Sequence, residues 1–469
     1  MSLSKRFGLA LLTLLVILGA AALAMTWRPA IAAIDPPSAK AFDPALVKRG
    51  RQLAAIGNCA DCHTFKGGKD FAGGLPVATP FGTIFSTNIT PDPDTGIGRW
   101  SEAAFQRAMA SGIDRAGQHL YPTFPYDHFT HVSPEDNSAL YAYLMTREPV
   151  HVAPPDNHLT FPFNVRPILA GWKLLFLRRG EVTPDPARSA AWNRGQYLVE
   201  GLAHCGACHT PRNALGAERK AASFGGGEAD NWQAYALNAQ SPAPVPWTGD
   251  ALLDYLRHGW QRDHGVARGP MAQVVNNLAS VDADDVRAIA TYTADIFGPP
   301  RDRSRRPEAG VADAAASQSK PPAGLPQASV STANTGSAPS NNADGAAIYA
   351  AACANCHESA RPLPYGGIDL HRSTGISAPD ARNVANTVLY GLPPRDGERS
   401  PIMPGFAASL TDAQASALLA FLRARFSTQP PWSHLDQTLA GARRAQASFL
   451  RTAAEPPNIS ITGTTRGQP

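Results

Sequence analysis

Three Cys-x-x-Cys-His pentapeptides, Cys59-Ala-Asp-Cys62-His63, Cys205-Gly-Ala-Cys208-His209 and Cys353-Ala-Asn-Cys356-His357, consume all 6 cysteines of this 469-residue chain. No thiol remains for a disulfide or for a second kind of metal site. The spacing is that of covalent haem attachment: two intervening residues let both sulfurs reach one porphyrin edge, and the adjoining histidine falls beneath the iron. A single copy would leave room for a redox dithiol or half a zinc site. Three copies predict three covalently bound haem c groups, held by Cys59, Cys62, Cys205, Cys208, Cys353 and Cys356, with His63, His209 and His357 as proximal ligands.

A chain wrapped around three prosthetic groups is expected to be a string of small domains, and 469 residues allow about three units of roughly 100 to 150 residues. The 42 prolines, about 9 % of the chain, suit loop-rich domains. The approach to each motif repeats: Lys48-Arg49-Gly50-Arg51-Gln52-Leu53, Asn193-Arg194-Gly195-Gln196-Tyr197-Leu198 and Ala343-Asp344-Gly345-Ala346-Ala347-Ile348-Tyr349 each read as a short helix that delivers the cysteines. A second helix closes each unit. Ser133 with Pro134 opens the one that includes Ala139 to Met145, Asp282 begins Asp285 to Phe297, and Thr411 to Gln414 has capping-box form before Ala415 to Phe426. Leu140, Tyr141 and Leu144, Ile289, Tyr292 and Ile296, and Leu418, Leu419 and Leu422 recur at helical spacing as core positions. The expected fold class is mainly α: three tandem class I cytochrome c-like domains over 40–150, 188–298 and 343–430, behind an N-terminal transmembrane helix.

The remaining segments read as connectors. Residues 151–187 are proline-rich around the apolar stretch Ile168 to Leu177 and are expected to form an ordered crossover; that stretch is too short to span a bilayer and contains Lys173. Residues 299–342 hold almost no large apolar side chain and predict a flexible linker, and 431–469 a C-terminal tail. Residues 1–30 read as a membrane anchor or signal. Lys5 and Arg6 precede an uncharged apolar run, Phe7 to Met25, long enough to cross most of a bilayer at about 1.5 Å per residue, with Ala30-Ile31-Ala32 as a cleavage site in the signal reading. The anchor is the favoured reading, which puts the haem units on the periplasmic side of the inner (cytoplasmic) membrane. The excess of 42 basic over 38 acidic side chains is small and forms no clustered stripe, so no nucleic-acid partner is expected.

The sixth iron ligand sets much of a haem's potential. Of 6 methionines, Met1 and Met25 lie in the leader, leaving Met109, Met145, Met271 and Met403. Met271 in Arg268-Gly269-Pro270-Met271 and Met403 in Pro401-Ile402-Met403-Pro404-Gly405 sit in loops ahead of the closing helix, a poor place for a packing residue and a good one for an axial ligand.

The segments Phe85-Ser86-Thr87-Asn88-Ile89-Thr90-Pro91-Asp92, Gly98-Arg99-Trp100-Ser101, Leu120-Tyr121-Pro122 and Tyr141-Ala142-Tyr143-Leu144 resemble the three-haem cytochrome c subunits of membrane-bound periplasmic dehydrogenases. The resemblance covers roughly residues 40 to 430. It implies a partner dehydrogenase subunit as electron donor, and quinone, a terminal oxidase or a small cytochrome as acceptor. The alcohol and gluconate branch carries methionine where this chain has Phe124, and phenylalanine cannot ligate iron. The string Phe124-Pro125-Tyr126-Asp127-His128-Phe129-Thr130 looks like the cytochromes that accompany molybdenum hydroxylases acting on aldehydes or N-heteroaromatics. On that likeness His128 is assigned as distal ligand of the first haem, with His131 and Met109 as lesser candidates.

No nucleophile-base pair or dinucleotide fingerprint stands in the chain, so the expectation is an electron-transfer subunit whose catalysis resides in a partner. Two alternatives remain: the cytochrome subunit of an alcohol- or gluconate-type dehydrogenase, and a catalytic multihaem peroxidase-like enzyme, which would need an iron with an open sixth position.

Overall fold

The computed structural model describes residues 26–299, 341–359, 361–393 and 400–454, with residues 7, 12, 13, 17 and 19 ahead of them. Nearly all of the expected anchor and linker therefore lies outside the described residues. Among the described residues no helix is long and apolar enough to cross a membrane.

In the first unit α1 (Pro44–Ile56) leads to α2 (Cys59–His63), β1 (Pro76–Thr79) and β2 (Gly82–Phe85) form a hairpin, and α3 (Glu102–Ser111), α4 (Tyr126–Phe129) and α5 (Pro134–Met145) follow. The crossover adds β3 (His158–Leu159) beside β2 and then α6 (Leu169–Phe176). The second unit contains α7 (Ala190–Tyr197), α8 (Gly206–His209), the hairpin of β4 (Gly227–Ala229) and β5 (Trp232–Ala234), α9 (Gly249–His258), the short pair β6 (Trp260–Gln261) and β7 (Gly265–Val266), α10 (Pro270–Ala279) and α11 (Ala283–Phe297). The third contains α12 (Asn341–Ala352), α13 (Ala354–His357), α14 (Thr374–Ser377), α15 (Arg382–Tyr390), α16 (Asp412–Phe426) and α17 (Leu435–Ala454).

One contact is built three times. The helix before each haem motif crosses the closing helix at a glycine. A Cβ placed on Gly50 would lie 1.9 Å from the Ala139 carbonyl oxygen, one on Gly195 2.0 Å from that of Ala288, and one on Gly345 2.2 Å from that of Ala417. Two of the closing helices begin where their caps dictate: the Ser133 hydroxyl accepts from the Asp136 N–H at 3.2 Å, and Thr411 and Gln414 form a reciprocal capping box, whereas Asp282 makes no side-chain cap bond ahead of α11. The connection from crossing glycine to first cysteine is not constant, running 50 to 59, 195 to 205 and 345 to 353. A π-helical turn at Leu198–Leu202 absorbs the longer spacing in the second unit.

Two expectations need correction. The first and second units do not have separate cores: Leu53, Leu140, Leu198, Leu202, Leu278 and Ile289 belong to one continuous apolar cluster. The third unit has its own, around Leu389, Leu418, Leu419 and Leu439. Nor is everything after 430 a tail. Leu439 and Ala442 of α17 are buried against the third core, the Trp432 indole N–H donates to the Ala378 carbonyl at 2.8 Å, and Arg443 binds Asp412 at 2.6 Å. Apolar residues spaced along one face of α17 made it a structural helix, although its polar flanks masked that in the sequence.

Candidate haem centres and the interface between them

Each Cys-x-x-Cys-His motif occupies a single helical turn, which puts its two sulfurs and its imidazole on neighbouring faces. All six cysteines are unpaired. Burial, then the neighbouring Cys62 thiol, pushes Cys59 up to about 12; burial, then Glu200, does the same to Cys205. Both are therefore neutral thiols, poorly suited to thiolate metal binding.

The histidines of the three motifs share one arrangement that sequence reasoning did not find. In each, Nδ1–H donates to a backbone carbonyl downstream: His63 to Thr87 at 2.6 Å, His209 to Tyr235 at 2.6 Å and His357 to Ile368 at 3.0 Å. This fixes the tautomer and leaves the Nε2 lone pair for iron. Burial lowers the pKa of His63 and His209, which keeps both imidazoles neutral as a ligand requires. The residues present thus fit covalent haem at all three motifs.

The loop after the first motif explains part of the sequence pattern. Asn88, buried, donates through Nδ2 to the Val150 carbonyl at 2.7 Å and accepts from the Thr90 N–H at 2.9 Å, while Asp92 accepts from the Thr95 N–H at 2.7 Å. These bonds hold the turn that presents the Thr87 carbonyl to His63.

Met271, in the first turn of α10 rather than in a loop, is packed against the core shared by the first two units, and Met403 is packed against the third core and pairs in a bridge with Leu392. His128 is placed otherwise than the resemblance implied. It is buried at the boundary of the first two units, where Nδ1–H donates to the Glu200 carbonyl at 2.7 Å and Nε2–H to Glu218 at 2.6 Å. A ring with both nitrogens donating to oxygen has no lone pair for iron. Its Cε1 faces the second haem motif, 3.1 Å from where a Gly206 Cβ would stand. His128 is corrected from a ligand of the first haem to an interface residue. Asp127 approaches the same pair, but Lys220 already binds Glu218 at 2.8 Å and balances its charge, so the cluster is an ion-pair network.

Burial would lower the His128 pKa, yet the hydrogen bond and charge of Glu218 outweigh it and raise it. Burial would raise Glu218, but His128 and Lys220 hold it down at about 2. The sign of the pH dependence follows. The histidine's contribution is fully present below its ordinary value of 6.5 and is lost as pH rises through the raised folded value; the glutamate's is present above its ordinary 4.5 and is lost as pH falls towards about 2. The joined units should therefore melt highest between these ordinary values and lose stability above them. Thermal denaturation against pH tests this, and in Glu218→Gln the loss on the alkaline side should largely vanish.

The first two units meet as a pseudo-symmetric pair. Arg49 binds Asp136 at 3.3 Å and Asp285 at 3.0 Å, and Arg194 binds Asp285 at 2.8 Å and Asp136 at 3.5 Å. Each arginine precedes its crossing glycine, and each aspartate stands three residues after its helix cap. The third unit has Asp344 and Gln414 at these positions and cannot join the quartet. The same pairing brings two motifs together. Asn277, on α10 of the second unit, donates to Asn58 at 2.8 Å and to Asp61 at 2.6 Å around the first motif. Loss of surrounding water, then Asp61 and the Cys208 thiol across the boundary, push Cys62 up to about 11.

The third unit docks on the second at the hairpin that ends in Tyr235, the residue whose carbonyl holds His209. Asn383 exchanges two 2.8 Å hydrogen bonds with the Gln233 backbone, Asn386 donates to the Asn231 carbonyl at 3.1 Å, and Arg382 binds Glu228 at 2.8 Å.

Comparison with known proteins agrees with this architecture. Residues 47–148 match the family described as cytochrome c, and residues 340–422 that described as cytochrome C oxidase, cbb3-type, subunit III. The chain is 32 % identical over 447 residues to the fructose dehydrogenase cytochrome subunit of Gluconobacter japonicus, covering 92 % of this chain and 89 % of that one. It is 37 % identical over 404 residues to the gluconate 2-dehydrogenase cytochrome c subunit of Pantoea cypripedii, covering 81 % and 85 %. The chain belongs to the cytochrome c subunits of dehydrogenase complexes. It is also 46 % identical over 434 residues to a subunit of the nicotinate dehydrogenase of Pseudomonas putida, covering 91 % of this chain but 34 % of that one, so it spans about a third of that relative. As a cytochrome subunit of this family it transfers electrons, and the substrate is oxidised in a partner subunit.

Proposed function

We propose that the chain carries three haem c groups and relays electrons in the order first, second, third unit, from a partner dehydrogenase to quinone or another component of the respiratory chain. Bound haem iron supplies reversible one-electron chemistry. The protein's part is to fix the irons and bring them close. The observation that carries this reading is the threefold Nδ1–H to carbonyl contact, which prepares His63, His209 and His357 alike. Met271 and Met403 would supply the sixth ligands of the second and third irons. The order follows from contact: Asn277 joins the second unit to the first motif, and the Tyr235 hairpin joins it to the third unit.

The partner, on this reading, is a molybdenum hydroxylase acting on an aldehyde or N-heteroaromatic compound. The Phe124 to Thr130 string and the likeness to part of a nicotinate dehydrogenase support it over the alcohol and gluconate alternative. The test is reduction of the haem-loaded chain by a purified molybdenum hydroxylase supplied with its substrate. An N-heteroaromatic acid or an aldehyde should drive it, and reduction driven by an alcohol or gluconate instead would favour the alternative.

Attachment to the periplasmic face of the membrane is supported from two sides. The apolar run Phe7 to Met25 leads to Thr26, whose carbonyl accepts from His119 Nε2–H at 3.0 Å. Lys173 of α6 reaches the other nitrogen of the same histidine at 3.1 Å, so α6 shares His119 with Thr26, the residue after that run. Around it Phe161, Leu174 and Leu175 are 81 %, 65 % and 58 % exposed, with Arg178 and Arg179 following, a pattern suited to an anionic lipid surface.

A further inference from the structure

The second unit provides an internal reference for where a distal methionine must stand in the first. In the second unit α9 ends at Gly259, whose carbonyl accepts from the Ala267 N–H at 2.7 Å, and Met271 is the fourth residue beyond Ala267. In the first unit α3 ends at Gly112, whose carbonyl accepts from the Leu120 N–H at 2.8 Å, and the fourth residue beyond Leu120 is Phe124. Both glycines are left-handed caps, with φ of 59° and 77°, and each loop is closed by antiparallel pairing, Ile113 with His119 and Trp260 with Val266. Phe124 therefore occupies the register of Met271, and a benzyl group offers iron no lone pair.

Among the described residues of this segment, neither the methionine nor the histidines replace it. Met109 lies three residues before Gly112, as Leu256 lies before Gly259 and Val388 before Gly391; all three are buried in apolar cores, so Met109 is a packing residue. Three histidines stand between α3 and α5. His119 has one nitrogen on the Thr26 carbonyl and the other on Lys173. His128 donates from both nitrogens to Glu200 and Glu218. His131 donates Nδ1–H to the Gly180 carbonyl, which leaves Nε2 a lone pair, but its Cβ lies 3.4 Å from where a Gly201 Cβ would stand, which sets it at the boundary with the second unit rather than at the register of Phe124. Phe124 itself packs edge-on against Phe129 at 5.2 Å, which makes the position apolar and favours an uncharged ligand.

We infer that the first haem receives no protein ligand from its distal segment, and that its sixth position is a binding site for a small neutral diatomic molecule. The inference rests on the proposed assignment of Met271 to the second iron and departs from the thioether pattern of the other two units. Within the relay it makes the first unit the one open to inhibition by such molecules.

The test uses the full-length, haem-loaded chain. Carbon monoxide added after reduction should shift the Soret absorption of one haem in three. The oxidised protein should show two thioether-to-iron charge-transfer bands by magnetic circular dichroism. Phe124→Met should abolish the carbon monoxide shift and add a third band, whereas His128→Gln should leave the first haem's spectrum unchanged. Met271→Ala should remove one of the two original bands. A wild-type protein inert to carbon monoxide, with Met271→Ala behaving as stated, would overturn this inference alone. Persistence of both bands in Met271→Ala would instead overturn the ligand assignment beneath it.

Discussion

Alanine at both Cys205 and Cys208 will remove one haem of three and cut the path between the outer two units. The second motif stands between the others: Asn277 ties its unit to Asn58 and Asp61 beside the first, and the hairpin that positions His209 is the one on which Asn383 of the third unit docks. The buried Leu198, Val199 and Leu202 that join the first two cores are untouched by the substitution, so the joined units should still fold, with some loss of stability from the missing haem. Rapid mixing with the substrate-reduced partner should reduce the first haem while the third stays oxidised over the time in which wild type equilibrates. Normal reduction of the third haem would show that electrons enter it directly and would refute the proposed order.

Gly195→Ala will destabilise the joined units by about 3 kcal/mol, because the added methyl cannot be accommodated by rotamer change alone. Its carbon would sit 2.0 Å from the Ala288 carbonyl oxygen and 2.7 Å from Tyr292 Cβ, so α7 must move away from α11. That movement also pulls Arg194 from Asp285, and with it the quartet that links the units. For a fold of this size the loss corresponds to roughly 6 to 12 °C in melting temperature. Calorimetry checks it. Gly345→Ala should leave this transition in place and lower only that of the third unit, whose core is separate. A shift below about 2 °C for Gly195→Ala would mean that the helices do not cross as closely as described.

Covalent chemistry and cap residues were the most legible parts of the sequence. The haem motifs, the approach helices and the caps at Ser133 and Thr411 are local patterns, and local hydrogen bonds enforce them. What could not be read was which surfaces meet. His128 looked like a spare donor near a haem because sequence places it next to Phe124; the structure carries it across a boundary to Glu218, a contact between residues 90 positions apart. The joining of the first two cores does leave a trace in the sequence. Arg-Gly precedes both haem approaches and aspartate stands third after both caps, whereas the third unit has Asp344 and Gln414 there. The carbonyls of Thr87, Tyr235 and Ile368 could not be found at all, since every residue carries one and only the fold selects which meets the histidine. The reading of α17 as tail failed because Leu439 and Ala442 are few among polar neighbours, and only docking on the third core reveals their face.

The measurement that bears most directly on the relay is the covalent haem content of the matured chain, by pyridine haemochrome assay per mole of protein and by intact mass. Three prepared histidines beside three unpaired cysteine pairs predict three haems on every chain, and two or fewer on fully matured protein would contradict the account.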